Sequence, residues 1–394
     1  MKNTNKLLII LLILGLLASA SACSLFGYDT HVNPTVVETS ESDVVYTEQA
    51  SFIELQTEPA TELNDDFDIS SLTLEQKVAQ MILVSCHDGV DIGDAISSGV
   101  GGLCLYAQSF ENKNKYDVID MTRYYQSLAQ IPLLISTDEE GGEVNRVSIN
   151  ENLRAVPFWS PSDLYAEGGW ELIKSDTVEK AELLLSLGVN VNLAPVCDVP
   201  LSEDNYIYCR CFSTNANDTG DYVALVVSVM KDEGIGTTLK HFPGYGGSID
   251  THENVSYDDR DYSSFENGDF IPFQRGIAEG ADCVLVSHNI VTSMDADMPA
   301  SLSKPVHDSL RNELGFEGVI MTDDLIMEGI TQFIDGGSAA VFAVLAGNDM
   351  LCCRDYDEAI TSILNAVEDG VISEEQINSS VMRIVKWKTD LNLL

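Results

Sequence analysis

Positive charge is what this 394-residue chain most lacks: 21 Lys+Arg stand against 63 Asp+Glu, a formal net charge of −42. A balance this acidic repels phosphate backbones and anionic lipid headgroups, which argues against nucleic-acid binding and electrostatic docking to membranes. The partner it suits is neutral or cationic. Metal-ligand spacing is also missing, since the nine cysteines and six histidines form no C-x-x-C pair and no His/Cys cluster with zinc-like spacing. No metal and no organic cofactor is expected. No glycine-rich fingerprint follows the first strand-like run, so a dinucleotide-binding open sheet loses its main signal.

What is present begins at the N-terminus. Lys2 and Lys6 precede the apolar run Leu7 to Leu17, and Ala18 to Ala22 lead into Cys23. The run is short for a membrane span and reads as an export signal. Small residues before a cysteine resemble a bacterial lipoprotein cleavage box, although Ala20 sits where such boxes prefer leucine. Cys23 would then carry a lipid, placing the protein on the extracellular face of the cell membrane; without lipidation it would be secreted. Removing residues 1–22 takes away two lysines and no acid, so the net charge moves from −42 to −44. Residues 24–68 hold eleven acids and neither Lys nor Arg. Like charges and little apolar surface make residues 23–68 an extended, disordered tether.

The cysteines do not read as a disulfide framework. Cys104, Cys197, Cys283, Cys352 and Cys353 lie in or beside apolar runs, where a thiol acts as a small buried hydrophobe. Cys86, Cys209 and Cys211 look partly accessible, leaving room for one bridge to Cys209 or Cys211.

From residue 69 to 394, short β-branched runs alternate with amphipathic stretches. Strands are expected at 81–85, 101–106, 132–137, 189–196, 236–240, 283–288, 318–322 and 350–353. Helices are expected at 115–129, 174–187, 221–232, 264–278, 306–314, 339–346 and 356–367. Thr73 and Gln76 form a capping box for a first helix, and Ser373 with Gln376 opens a last one toward Leu391. Eight such runs in one segment fit a single α/β domain, a (β/α)8 TIM-type barrel.

Polar residues repeatedly follow the last apolar residue of a strand: Asp138, Asp198, Lys240 with His241, His288, and Asp323 with Asp324. Each alone reads as a cap or a solvated charge, but a barrel aims that end of every strand into one mouth. The stretch from Lys240 to His252 adds a glycine-rich loop in which Asp250 lies two residues from His252. A carboxylate there can fix one histidine tautomer and make it an acid/base near neutral pH. On that spacing alone, a loop histidine satisfied by its neighbour is the simpler reading.

Several motifs in order carry a family resemblance across about residues 72–390. They are Ser136-Thr137-Asp138-Glu139-Glu140-Gly141-Gly142, Ala194-Pro195-Val196-Cys197-Asp198, Arg210-Cys211-Phe212, Lys240-His241-Phe242-Pro243-Gly244, Asp250-Thr251-His252, and residues 315–325 ending in Thr322-Asp323-Asp324-Leu325. The chain resembles the β-N-acetylglucosaminidases of glycoside hydrolase family 3, of the bacterial lipoprotein type. The resemblance implies a retaining exo-acting hydrolase of terminal β-linked GlcNAc in wall-derived or chitin-type saccharides, monomeric and cofactor-free. It makes Asp323 the nucleophile and His252, assisted by Asp250, the acid/base, with Asp138, Arg210, Lys240 and His241 holding sugar hydroxyls. A β-glucosidase or phosphorylase of the same family, or a non-catalytic sugar-binding lipoprotein, are the alternatives. Two positions depart from the pattern: Tyr245 replaces a usual histidine, and Glu143 stands where enzymes acting on muropeptide sugars usually carry arginine.

Overall fold

The computed structural model describes residues 67–246, 256–325, 330, 333–334 and 337–394. The export signal, Cys23 and almost all of the acidic tether lie outside them, as do Asp250 and His252.

Eight parallel strands form one sheet: β1 (Ile82–Cys86), β2 (Gly102–Leu105), β3 (Leu134–Thr137), β4 (Val191–Asn192), β5 (Gly236–Phe242), β6 (Cys283–Val286), β7 (Val319–Thr322) and β8 (Leu351–Cys353). Each pairs with its sequence neighbour, and β8 returns to β1 through Ile82 opposite Leu351. A bridge between Met321 and Met350 joins β7 to β8, so the ring is closed, as expected of a (β/α)8 barrel.

Outside the strands run α1 (Leu74–Gln80), α2 (Ile92–Ser97), α3 (Lys115–Leu128), α4 (Pro161–Ser186), α5 (Ala216–Glu233), α6 (Phe270–Ala278), α7 (Lys304–Asp308), α8 (Ala339–Ala346), α9 (Tyr356–Glu368) and α10 (Glu374–Asp390). Thr73 and Gln76 form the reciprocal capping box expected for α1, an arrangement worth about 1 kcal/mol at a helix start. Ser373 caps α10 by accepting from the Gln376 amide.

The helix expected at 306–314 is instead a short α segment, Lys304–Asp308, followed by a π turn at Ser309–Glu313, and three further differences from the sequence expectation have a visible cause. α4 starts at Pro161 rather than 174, because the chain passes through Gly169 in a left-handed conformation (φ 62°) and resumes the helix. The stretch 264–278 opens with a π turn at Phe265–Asp269, where Pro272 has no amide to continue an α pattern and Asp269 turns inward to Arg260. The run 189–196 forms regular strand only at Val191–Asn192. Leu193 and Ala194 continue the ladder through Leu193 N–H to the Thr137 carbonyl and Thr238 N–H to the Ala194 carbonyl, and Pro195 can donate no bond.

Cys86, Cys104, Cys197, Cys211, Cys283, Cys352 and Cys353 are free thiols among the described residues. Cys86 and Cys211 are buried, contrary to their expected accessibility, because one ends β1 and the other packs with Val196, Ile207 and Tyr245. Cys209 alone is half-buried among the described residues.

Register explains what faces inward. Leu83 pairs with Gly102 and Cys352, Ser85 with Cys104, Cys104 with Ser136, Ser136 with Val191, Thr238 with Cys283, and Leu285 with Met321. Side chains alternate along each strand, and layers in such a barrel come from alternate strands. Even strands therefore supply one interior layer, Cys104, Leu193, Leu285 and Cys352. One step toward the strand C-termini, odd strands supply Ser85, Asp138, Lys240 and Asp323. The first layer is an apolar floor, and the second carries the chemistry.

Candidate active site

At the C-terminal mouth a cavity of about 620 Å³ is lined by Asp138, Glu140, Arg146, Arg210, Lys240, His241, Asp323 and Asp324, with Cys104, Leu193, Leu285 and Cys352 beneath. Five of the seven expected site residues, Asp138, Arg210, Lys240, His241 and Asp323, meet in this one space. Asp250 and His252 lie outside the described residues.

One side of the cavity is an ion network. Lys240, only 2% exposed, donates from Nζ to Asp138 Oδ1 at 2.6 Å and lies 2.6 Å from Glu140 Oε1. Arg210 grips Glu140 in bidentate fashion, Nε to Oε2 at 2.9 Å and Nη2 to Oε1 at 2.7 Å. Burial alone would push the Glu140 carboxyl up, yet Arg210 and Lys240 hold it well below the usual carboxylate range. Burial likewise opposes the Lys240 charge, and Asp138 and Glu140 raise its pKa regardless. Arg210 pairs with Glu140, and Asp138 pairs with Lys240.

His241 has a single assignable tautomer. Arg210 Nη2, which only donates, lies 3.2 Å from His241 Nε2, so that ring nitrogen accepts. Nδ1 then carries the proton and donates to Asp198 Oδ2 at 2.7 Å. Asp198 is fully buried and also accepts from the Tyr245 amide at 2.7 Å, so it supports the site from behind and does not line it. Tyr245 is buried beside His241, with ring centroids 5.1 Å apart, and packs edge-on against Tyr206. The departure at this position therefore fills a small apolar cluster behind the histidine.

The other side has a different character. Asp323 continues the β6–β7 ladder through its N–H to the Val286 carbonyl at 2.9 Å, and its Oδ1 accepts from the Asp324 amide at 2.9 Å. Asp324 is turned toward β1: its Oδ2 accepts from the Ser85 hydroxyl and faces His87 Nε2 at 3.7 Å. Its carbonyl accepts from His288 Nε2 at 3.0 Å. His288 is thus a buried brace for the 323–324 turn. His87 stacks on Tyr106 with centroids 4.1 Å apart. Burial and the nearby Cys104, Cys352 and carboxylates push the Tyr106 hydroxyl up, so it stays neutral. Contact with Cys104, together with burial, raises the Cys352 thiol in the same way.

The loop after β3 holds the residues that sequence reasoning left out. Glu139 accepts from the amides of Arg146 and Val147 at 2.8 and 2.7 Å, which folds 139–148 into a tight hook. The hook exposes Glu143 and brings Arg146 to the cavity wall. Among the described residues, the buried Arg146 Nε has no hydrogen-bond partner. The glycines that precede it are needed for space: a β-carbon on Gly141 would collide with the Trp159 carbonyl, and one on Gly142 would stand 2.9 Å from Ser160 Cβ. Both also have positive φ, 102° and 69°. Glu140 stood inside a recognised motif, and Arg146 is a cation eight residues after Asp138 in a chain poor in cations.

The chain matches the family model "Glycosyl hydrolase family 3 N terminal domain" over residues 73–387. It is 30% identical over 322 residues to beta-hexosaminidase A of Pseudoalteromonas piscicida, covering 74% of this chain and 54% of that protein. It is 31% identical to beta-hexosaminidase of Nitrosomonas eutropha, covering 66% of this chain and 75% of that one. A solved glycoside hydrolase family 3 beta-N-acetylglucosaminidase from Paenibacillus sp. FPU-7 superposes with a TM-score of 0.76 at 31% identity, covering 82% of this chain and 63% of its own. The chain thus spans little more than half to three quarters of these relatives. With a family model covering most of the chain, and a closed barrel whose strand ends converge on one acid-rich cavity, the chain belongs to glycosyl hydrolase family 3.

Proposed function

We propose that the chain is a retaining exo-β-N-acetylhexosaminidase, removing terminal β-linked GlcNAc from cell-wall-derived or chitin-type saccharides. The observation that carries this reading is the convergence of Asp323, Asp138, Lys240, Arg210 and His241 on one cavity; the names of the relatives supply the sugar.

A retaining glycosidase needs a carboxylate under the anomeric carbon and a proton donor over the leaving oxygen. Asp323, fixed by a ladder bond at a strand end, is the nucleophile in this reading. Asp324 is the less suitable of the two, because its carboxylate is engaged by Ser85 and His87. As the glycosidic bond breaks, His252, oriented by Asp250, protonates the leaving oxygen and Asp323 bonds to C1. His252 then takes a proton from water, which attacks C1 and releases Asp323. Asp138 accepts from sugar hydroxyls, while Arg210 and Lys240 donate. Lys240 spends two of its three donors on carboxylates, which leaves one for the sugar. Arg146 joins this set from the β3 loop. In the same reading the enzyme is a monomer held outside the cell by a lipid on Cys23, with residues 24–68 as its tether.

The test is release of chromophore from an aryl β-N-acetylglucosaminide by wild type, Asp323→Ala and His252→Ala. Activity in the wild type alone supports the assignment, and equal release by all three rejects it. Loss of metabolic fatty-acid labelling in Cys23→Ala checks the anchor.

A further inference from the structure

Outside the mouth, the strongest unassigned feature is a two-lobed groove on the barrel flank centred on Trp159. One lobe, about 620 Å³, is walled by Val156, Trp159, Asp163 and Glu167. The other, about 420 Å³, shares Val156, Trp159 and Glu167 and adds Arg154 and Glu179. The Trp159 side chain is 49% exposed, although it is one of only three tryptophans in the chain. An exposed indole set in a formed groove marks a contact surface more often than it marks leftover apolar area.

The groove is held rigidly. Pro161 opens α4, and the Ser160 side chain accepts from the Asp163 amide and donates to its carboxylate at 2.6 Å. Beneath Trp159, Phe158 is buried with the Arg154 guanidinium 3.9 Å from its ring centroid. Arg154 is itself neutralised by Glu179 through contacts of 2.9 and 3.0 Å. The backbone of residues 158–160 rests on the Gly141-Gly142 turn, with Gly142 N–H donating to the Phe158 carbonyl at 2.9 Å. That turn belongs to the hook carrying Glu140 and Arg146, so the groove lies directly behind one wall of the cavity.

Its chemistry selects an occupant. A flat apolar indole is ringed by acceptors, Asp163 and Glu167, and the one cation of the lining is already paired. Carboxylated, sulfated or phosphorylated polymers are repelled, the more so by a chain of net charge −42. A hexosamine ring presents an apolar C–H face to an indole, with hydroxyl and amide donors at its edge for carboxylates. Two lobes sharing one indole suit consecutive units of a strand. We propose that the Trp159 groove is a second saccharide-binding surface that holds an uncharged β-linked N-acetylhexosamine polymer while the mouth acts on a chain end. The identity of the polymer rests on the function proposed above.

The test compares wild type, Trp159→Ala, Trp159→Phe and Glu167→Gln, each as the full chain, for retention on insoluble chitin, with the mouth unchanged in all four. Activity on soluble chitin polymer, divided by activity on the aryl glycoside, is measured in parallel. Trp159→Ala should bind roughly fivefold to tenfold more weakly and lower that ratio, as loss of one aromatic stacking platform implies. Trp159→Phe should keep most of the retention. Equal retention by wild type and Trp159→Ala, or no retention of wild type, overturns the proposal. Equal weakening of the Ala and Phe variants with a shared fall in melting temperature also overturns it, since packing alone would then explain the loss. A wild type inert toward the aryl glycoside but still retained through Trp159 would sink the proposed function and leave this surface standing.

Discussion

Lys240 and Lys388 are both fully or almost fully buried, yet the two ends of the barrel treat the same side chain in opposite ways. At the mouth, Lys240 lies between Asp138 and Glu140, and its pKa is raised in spite of burial. At the other end, α10 puts Lys388 Nζ against the neutral Gln80 Oε1 at 2.7 Å, and burial pushes its pKa down to about 7. Matched carboxylates thus preserve charge where charge can hold a ligand. Where only an amide faces the ammonium, burial costs stability. The contrast separates residues placed for function from those the fold merely tolerates.

The largest expected effect lies at the mouth. Asp323→Asn should cut kcat about 10,000-fold, the scale seen when a covalent nucleophile or its partner is removed, while leaving the thermal midpoint near that of wild type. Asp324→Asn, with its carboxylate spent on Ser85 and His87, should cost far less in steady-state assays. Comparable losses from both would place the nucleophile wrongly.

Glu140→Gln should move Lys240 part of the way toward the situation of Lys388, with Asp138 as its remaining carboxylate. Losing that carboxylate leaves Arg210 and Lys240 short of a counter-charge and shifts both, so kcat/KM should fall roughly tenfold to a hundredfold, the scale of misplacing a positioning group. A variant with wild-type kcat/KM would show that the ion network does not hold the sugar.

The reverse experiment sharpens the contrast from below. The folded pKa of Lys388, about 7, lies beneath its ordinary 10.5, so between those values the unfolded chain binds more protons. Its contribution therefore favours folding increasingly as pH rises from about 7 to 10.5, and the full penalty applies below 7. Lys388→Met should stabilise the protein near neutral pH by about 1–4 kcal/mol and flatten this part of the pH dependence, read by urea unfolding at pH 7, 8 and 9. Gln80→Glu should recover a smaller part of the same penalty by giving Lys388 a counter-charge. No stabilisation in either variant would contradict the comparison.

The sequence made the barrel legible because strand cores such as 133–135 and 319–321 are unbroken apolar runs, and because the acid that follows each strand, Asp138 or Asp323, is the one the register turns inward. Pairings across the mouth were not legible. Arg210 meets Glu140 from 70 residues away in a grip that depends on the hook built around Glu139. The same hook turns Glu143 to solvent and Arg146 to the cavity, so the departure from the family pattern at 143 puts no carboxylate in that wall. The first half of α4 was not legible either, because the chain kinks at Gly169 and then resumes the helix.

The most direct test of the account is a covalent trap. Wild type is incubated with a fluorinated N-acetylglucosaminyl donor that forms its enzyme adduct faster than water removes it, then digested and mapped by mass spectrometry. The account predicts one sugar on Asp323 and none in Asp323→Asn. A sugar on Asp324, or steady turnover of the donor with no adduct at any stage, would contradict it.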